Sequence, residues 1–128
     1  MEVKATSKYV RMSPRKLRRV AALIRGKDYE MARNILSLTP KTASQALLNT
    51  MKSAASNAIS REGSAKVKVE NLYVKKAYID GGPTLKRIRA VGMGRAYRIR
   101  KRTAHINIIL AEKTMPVVAK SPAKVKEA

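Results

Sequence analysis

Apolar positions repeat with a helical period in the first half of the chain and with the period of a strand in the second. Leu17, Val20, Ala21 and Ile24 fall at i, i+3, i+4 and i+7 and form one apolar stripe. Ser13-Pro14 supplies a cap residue and a proline at the first helical position, and Gly26 closes the segment. Asp28 is placed to cap a second, shorter helix with Ala32, Ile35 and Leu36 facing inward. Thr39-Pro40 repeats the cap-plus-proline signal and is expected to open the longest helix, which runs to about Glu62 before Gly63. Its buried face is predicted to be Leu47, Leu48, Met51, Ala55, Ala58 and Ile59, among alanines and serines that let partners approach closely.

From Lys66 the period drops to two. The run 67–79 alternates imperfectly, with Leu72, Val74 and Tyr78 predicted on one face and Tyr73, Ala77 and Ile79 on the other. Residues 103–110 resume as a strand with Ile106, Ile108 and Leu110 on one face. These two strands pair as the base of one antiparallel hairpin, and residues 2–10 supply an edge strand. The expected architecture is α+β: three helices and an antiparallel three-stranded sheet, with a long β-hairpin arm at about 80–102. One domain is expected over residues 1–112, arm included, followed by a basic, flexible tail at 113–128 with two prolines.

The segment between the paired strands does not follow the pattern of a core. It carries Lys86, Arg87, Arg89, Arg95, Arg98, Arg100, Lys101 and Arg102 against one acid, Asp80. Its centre, Ala90-Val91-Gly92-Met93-Gly94, holds nothing large enough to anchor an apolar interior. Burying such a segment would cost several kcal/mol per unpaired cation. Carried outward as a hairpin it would reach roughly 30 Å at ~3.3 Å per residue. That is about twice the radius of gyration of roughly 14 Å expected for a domain of this size. An arm of this kind needs a polyanion to lie in.

Charge extends the argument to the whole chain. There are 29 Lys+Arg against 8 Asp+Glu, a net charge of +21 on 128 residues. That self-repulsion calls for counter-charge, which a phosphate backbone supplies. With 45% hydrophobic residues one modest core is still possible. The absence of cysteine removes disulfides and thiolate metal sites and fits a reducing compartment. No apolar run approaches the ~18 residues of a membrane span, and the N-terminus does not open as a signal peptide, so the chain reads as cytosolic.

Catalysis has little to stand on. The carboxylates are scattered, and the close pair Asp28 and Glu30 is explained by a helix start. His105, the sole histidine, lies within an isoleucine-rich strand and reads as structural or RNA-facing rather than as a general base. Gly92-Met93-Gly94 is not followed by a helix, so it reads as a tight arm tip and not as a dinucleotide fingerprint. No enzyme, cofactor or metal is expected.

Arg11, Arg15, Lys16, Arg18, Arg19 and Arg25 surround the first helix. Arginines opposite an apolar stripe are often just a solvated face, but here no acidic i+4 partners neutralise them, which favours phosphate binding. Aromatics are 4%, all tyrosine, too few for a base-stacking platform. Recognition by shape and phosphate, as structured RNA permits, fits better than a sequence code. The alternative is an architectural DNA-binding protein with a β-arm; such arms often wedge a proline into the duplex, and this tip has none.

Several motifs then come together: Ser13-Pro14-Arg15-Lys16-Leu17-Arg18, Ile24-Arg25-Gly26-Lys27, Gly82-Pro83-Thr84-Leu85-Lys86-Arg87, Gly94-Arg95-Ala96 and Lys101-Arg102-Thr103-Ala104-His105-Ile106. In this order, over about residues 5–111, they closely resemble the bacterial large-subunit ribosomal protein twenty-two family. The resemblance implies a structural constituent of the large ribosomal subunit, working in the cytoplasm within the ribosome as a monomer. It implies binding to large-subunit (23S) rRNA during assembly, beside other large-subunit ribosomal proteins, with the hairpin lining the nascent-peptide exit tunnel. Arg15, Lys16, Arg18 and Arg19 would meet rRNA from the first helix, with Arg11 beside them. Lys86, Arg87, Arg89, Arg95, Arg98, Arg100, Lys101 and Arg102 would hold phosphates along the arm. The tip, Ala90, Val91, Gly92 and Met93, would face the tunnel and the nascent polypeptide. The family's usual Pro-Arg-Ala reads Ala90-Val91-Gly92 in this chain, so a tip arginine and a stiffening proline are both replaced.

Overall fold

The computed structural model describes residues 1–113. Strand β1 (Glu2–Val10) precedes three helices, α1 (Pro14–Ile24), α2 (Tyr29–Leu38) and α3 (Thr42–Glu62). Four strands follow: β2 (Leu72–Gly81), β3 (Leu85–Ala90), β4 (Ala96–Lys101) and β5 (Ala104–Glu112). Strands β1, β5 and β2 form an antiparallel sheet with β5 in the middle, and β3 pairs with β4 as a separate two-stranded ribbon. The fold is therefore the α+β arrangement that the periodicity predicts, with residues 2–10 at the sheet edge.

The helices cover one face of the three-stranded sheet. Leu17, Val20, Ala21 and Ile24 of α1 are buried, as are Leu36 of α2 and Leu47, Leu48, Met51, Ala54, Ala55 and Ala58 of α3. They meet Val3, Leu72, Val74, Ile106, Ile108 and Leu110 from the sheet. Each large side chain removed from water here contributes about 1.5–3 kcal/mol. Ile35 and Ile59, expected inside, lie half-buried at the margin. Thr50, also enclosed, keeps its hydroxyl satisfied by donating to the Ala46 carbonyl at 2.9 Å, and it lies 2.8 Å from the Ser7 hydroxyl.

Three local expectations are corrected. Ser13 and Asp28 occupy the cap positions of α1 and α2, but neither side chain makes a capping bond. The Asp28 carboxylate instead pairs with Lys113 at 2.8 Å. The Thr39-Pro40 signal marks the end of α2 and not the start of α3. The Thr39 hydroxyl and backbone N–H both donate to the Ile35 carbonyl, at 2.6 and 3.0 Å, and α3 begins at Thr42 behind Lys41. Finally, Val69–Asn71 form a 3₁₀ turn, and the strand after it contains a bulge between Val74 and Lys76. The extra residue flips the parity. Leu72, Val74, Ala77 and Ile79 all face the core, and Tyr78 is turned outward.

The second face of the sheet is tied by Asn107 at the centre of β5. It accepts from the Thr6 hydroxyl at 3.0 Å and donates to the Asp80 carboxylate at 3.1 Å, linking all three strands. Of the expected tail, only Lys113 falls among the described residues; its backbone N–H reaches the Asn71 carbonyl at 2.7 Å.

Candidate nucleic-acid interface

The arm leaves the sheet where β2 and β5 run out. The last sheet pair is Gly81 with Ala104, after which the Gly82 N–H donates to the Thr103 carbonyl at 2.9 Å. The Thr103 hydroxyl then donates to the Pro83 carbonyl at 2.5 Å, locking the root. A Cβ on Gly82 would lie 2.5 Å from that hydroxyl oxygen and 3.2 Å from the His105 ring, so only glycine fits without displacement.

Beyond the root, six residues pair with six, from Leu85 with Lys101 to Ala90 with Ala96. Alternation places Lys86, Arg98 and Arg100 on one face, and Arg87, Arg89 and Lys101 on the other. Lys86 sits directly opposite Arg100, a like-charge pair that destabilises a ribbon without counterions. All eight cations from Lys86 to Arg102 are exposed, as are Ile88, Met93 and Tyr97. The two ion pairs among the described residues, Lys75 with Glu2 and Lys113 with Asp28, both lie in the body. A ribbon cationic on both faces suits enclosure by polyanion better than contact with a flat one.

The tip is a tight reversal. The Val91 N–H donates to the Arg95 carbonyl at 3.1 Å, and Met93 and Gly94 follow one another at φ 61° and 69°. Two successive positive φ values match the twist of hairpin strands, and for Met93 this is a left-handed conformation that side chains seldom take. Ala90, Gly92 and Met93 are exposed and Val91 is half-buried.

The structure joins what the sequence separates. Arg11 donates to the Arg102 carbonyl at 3.0 Å, pinning the approach to α1 against the arm root. Between them lies an open cleft of about 350 Å³ lined by Arg11, Lys16, Arg100, Lys101 and Arg102, together with Met12 and Ser13. Arg15 and Arg19 are exposed on the same helix. Arg18 and Arg25 turn toward the sheet. Arg18 donates to the Ile79 carbonyl through two nitrogens, at 3.2 and 3.0 Å, and Arg25 donates to the Ala77 carbonyl at 2.8 Å. His105 is half-buried at the root; its Nδ1 accepts the Tyr9 N–H at 3.1 Å, and its ring meets the Tyr9 ring edge-on at 5.0 Å.

Sequence reasoning missed Lys41 and Tyr9. Lys41 borders α1 only through tertiary packing. Tyr9 sits in a bulge of β1 at φ 58°, which no local pattern announces.

Among the described residues no cluster of His, Asp or Glu could hold a metal ion. Likewise, no described helix is long and apolar enough to cross a membrane. The described residues thus form a small α+β body with exposed positive charge concentrated in an outward arm and on the helix beside it. Residues 5–111 match the family described as ribosomal protein L22p/L17e. The chain is 53% identical over 113 residues to the large ribosomal subunit protein uL22 of Halothermothrix orenii, covering 88% of this chain and 97% of the relative. It is 50% identical over 113 residues to its counterpart in Thermus thermophilus, with the same coverage. The Clostridium novyi protein is 47% identical over 113 residues, 88% of this chain and 99% of the relative. The chain belongs to the L22p/L17e family of ribosomal proteins.

Proposed function

We propose that this protein is a structural component of the large ribosomal subunit in the cytoplasm, held there by its large-subunit rRNA. The observation that carries the proposal is the continuous cationic surface from Arg15 and Lys16, across the cleft at the arm root, along both faces of the ribbon. Arg11, Arg15, Lys16 and Arg19 meet phosphates at the body. Lys86, Arg87, Arg89, Arg95, Arg98, Arg100, Lys101 and Arg102 neutralise phosphates that surround the arm. Arg18 acts mainly by fixing α1 to β2, with its exposed edge turned to RNA. Affinity comes from counterion release, and position from the rigid root.

In this reading the arm threads between RNA helices, and Ala90, Val91, Gly92 and Met93 line the nascent-peptide tunnel. Neighbouring large-subunit proteins border the body. An uncharged tip serves a passing chain well, because it offers no cation to hold acidic segments.

Sedimentation of a tagged full chain at moderate salt tests the assignment. Co-migration with the large subunit, lost after ribonuclease treatment, is expected; migration with DNA or at the top of the gradient rejects it. A photo-crosslinking side chain at position 93 should capture nascent chains on stalled ribosomes. Capture of RNA alone would move the tip out of the lumen.

A further inference from the structure

A second cleft, of about 620 Å³, opens on the other side of α1, between that helix and the first turn of α3. Met12, Val20 and Leu23 form its apolar wall, and Lys16, Arg19 and Lys41 stand around it. None of these three cations makes an ion pair with a described residue. Its volume lies within the roughly 300–1,000 Å³ typical of sites that enclose a small organic group. Leu23 is 48% exposed, an apolar side chain left at the mouth. The adjoining end of α3 has no acidic residue in its first turn and no side-chain cap on its free amides.

Two residues decide what fits. Met12 and Lys16 line this cleft and also the cleft at the arm root, so the two form one surface passing over the start of α1. An RNA strand held at the root by Arg100, Lys101 and Arg102 therefore has a cationic path into the second cleft. There the surface changes character, from a mostly cationic lining with Met12 and Ser13 to an apolar wall with cations around it. Phosphate needs only the cations; an apolar wall gains nothing from it. A nucleotide with its base unstacked satisfies both parts, with the base against Met12, Val20 and Leu23 and its phosphates beside Lys16, Arg19 and Lys41.

Resting on the RNA-binding reading above, we propose that this cleft receives one extruded nucleotide of the large-subunit rRNA. The protein would then hold its RNA by a base as well as by phosphates, without an aromatic platform.

The test compares Leu23→Lys with Met31→Lys in full-length protein, measuring affinity for protein-free large-subunit rRNA across a salt series. Met31 is also half exposed but lies on α2, outside both clefts. If phosphate were the only ligand, the lysine added at position 23 would tighten binding and steepen the salt slope by about 0.7, and the one at position 31 would at most do the same. With a base in the cleft, Leu23→Lys removes the apolar contact and should weaken binding roughly tenfold, and Met31→Lys should not. Ultraviolet crosslinking of the unmodified complex should leave a nucleotide adduct on the peptide containing Met12 or Leu23.

Tighter binding by Leu23→Lys, with crosslinks on arm peptides alone, would overturn the nucleotide site while leaving RNA binding intact. Unchanged affinity for rRNA with loss from assembled subunits would overturn it in favour of a protein neighbour. No binding by the unmodified chain would sink both readings.

Discussion

Strands β4 and β5 are separated only by Arg102 and Thr103, yet they live in opposite surroundings. Five of the six residues of β4 are exposed, whereas none of the nine in β5 is. Both are extended and both are paired on at least one edge, so backbone geometry does not distinguish them. Side chains do. Strand β5 alternates Ala104, Ile106, Ile108 and Leu110 into a core that repays the ordering of the chain by removing apolar surface from water. Strand β4 alternates Arg98 and Arg100 with Tyr97 and Ile99, and a lone two-stranded ribbon is marginal in water. The body is stabilised from within, and the arm has no comparable interior of its own.

The largest expected effect separates these two sources of order. Replacing residues 84–102 by a two-residue turn should lower rRNA affinity on the order of a thousandfold at 0.2 M salt, from the loss of about eight phosphate contacts. The thermal midpoint of the body should scarcely move. A large drop in that midpoint would show that the arm contributes to the core after all. In the intact protein, the log–log salt slope should be near −8, at ~0.7 per contact for the arm and body cations together, and near −3 once the arm is gone.

Ile106→Ala should do the reverse. It should destabilise the body by about 2–5 kcal/mol in urea unfolding, and the salt slope of whatever protein remains folded should be unchanged. Gly82→Ala lies at the junction and should couple the two regions. The new Cβ must displace the Thr103 hydroxyl or the root itself, costing about 1–3 kcal/mol and re-aiming the arm. Unchanged stability together with unchanged incorporation into subunits would show that the root is softer than its contacts imply.

The smallest effect belongs to Glu2 and Lys75, an exposed pair far from the arm. The hydrogen bond and charge of Lys75 hold the Glu2 carboxyl below the usual carboxylate range. A lowered folded-state value means that its contribution is present at neutral pH and is lost as pH falls through that value. Glu2→Gln should therefore slightly flatten the acid limb of the stability profile and leave neutral-pH RNA binding intact. An equally steep acid limb would show that the pair contributes nothing measurable.

How much was legible in the sequence follows from the distance over which each feature is determined. The stripe of α1 and the alternation of β5 are local, and the residues they predicted to be buried are buried. The faces of β2 were misassigned because one bulged residue, Lys75, reverses parity, and composition does not mark it. Thr39-Pro40 reads as a beginning because threonine favours the N-terminal cap, but here its hydroxyl donates back to the Ile35 carbonyl and closes α2. The basic clusters of α1 and the arm were each visible, but their meeting was not. Arg11 and Arg102 are brought together by β5 lying between β1 and β2, a consequence of topology rather than of any motif. Lys41 was missed for the same reason.

That topology also governs how the protein comes into being. The middle strand of the sheet is the last to be synthesised: Glu2 pairs with Ala111, and Leu72 with Glu112. No register can form in the three-stranded sheet until β5 has emerged, so the first strand waits for a partner about a hundred residues later. Pairings this remote in sequence make for slow folding. Nascent chains halted at residue 103 should accordingly remain open to protease, whereas those extended well past residue 112 should acquire resistance. Until then the newborn chain carries its finished arm sequence without the sheet that roots it.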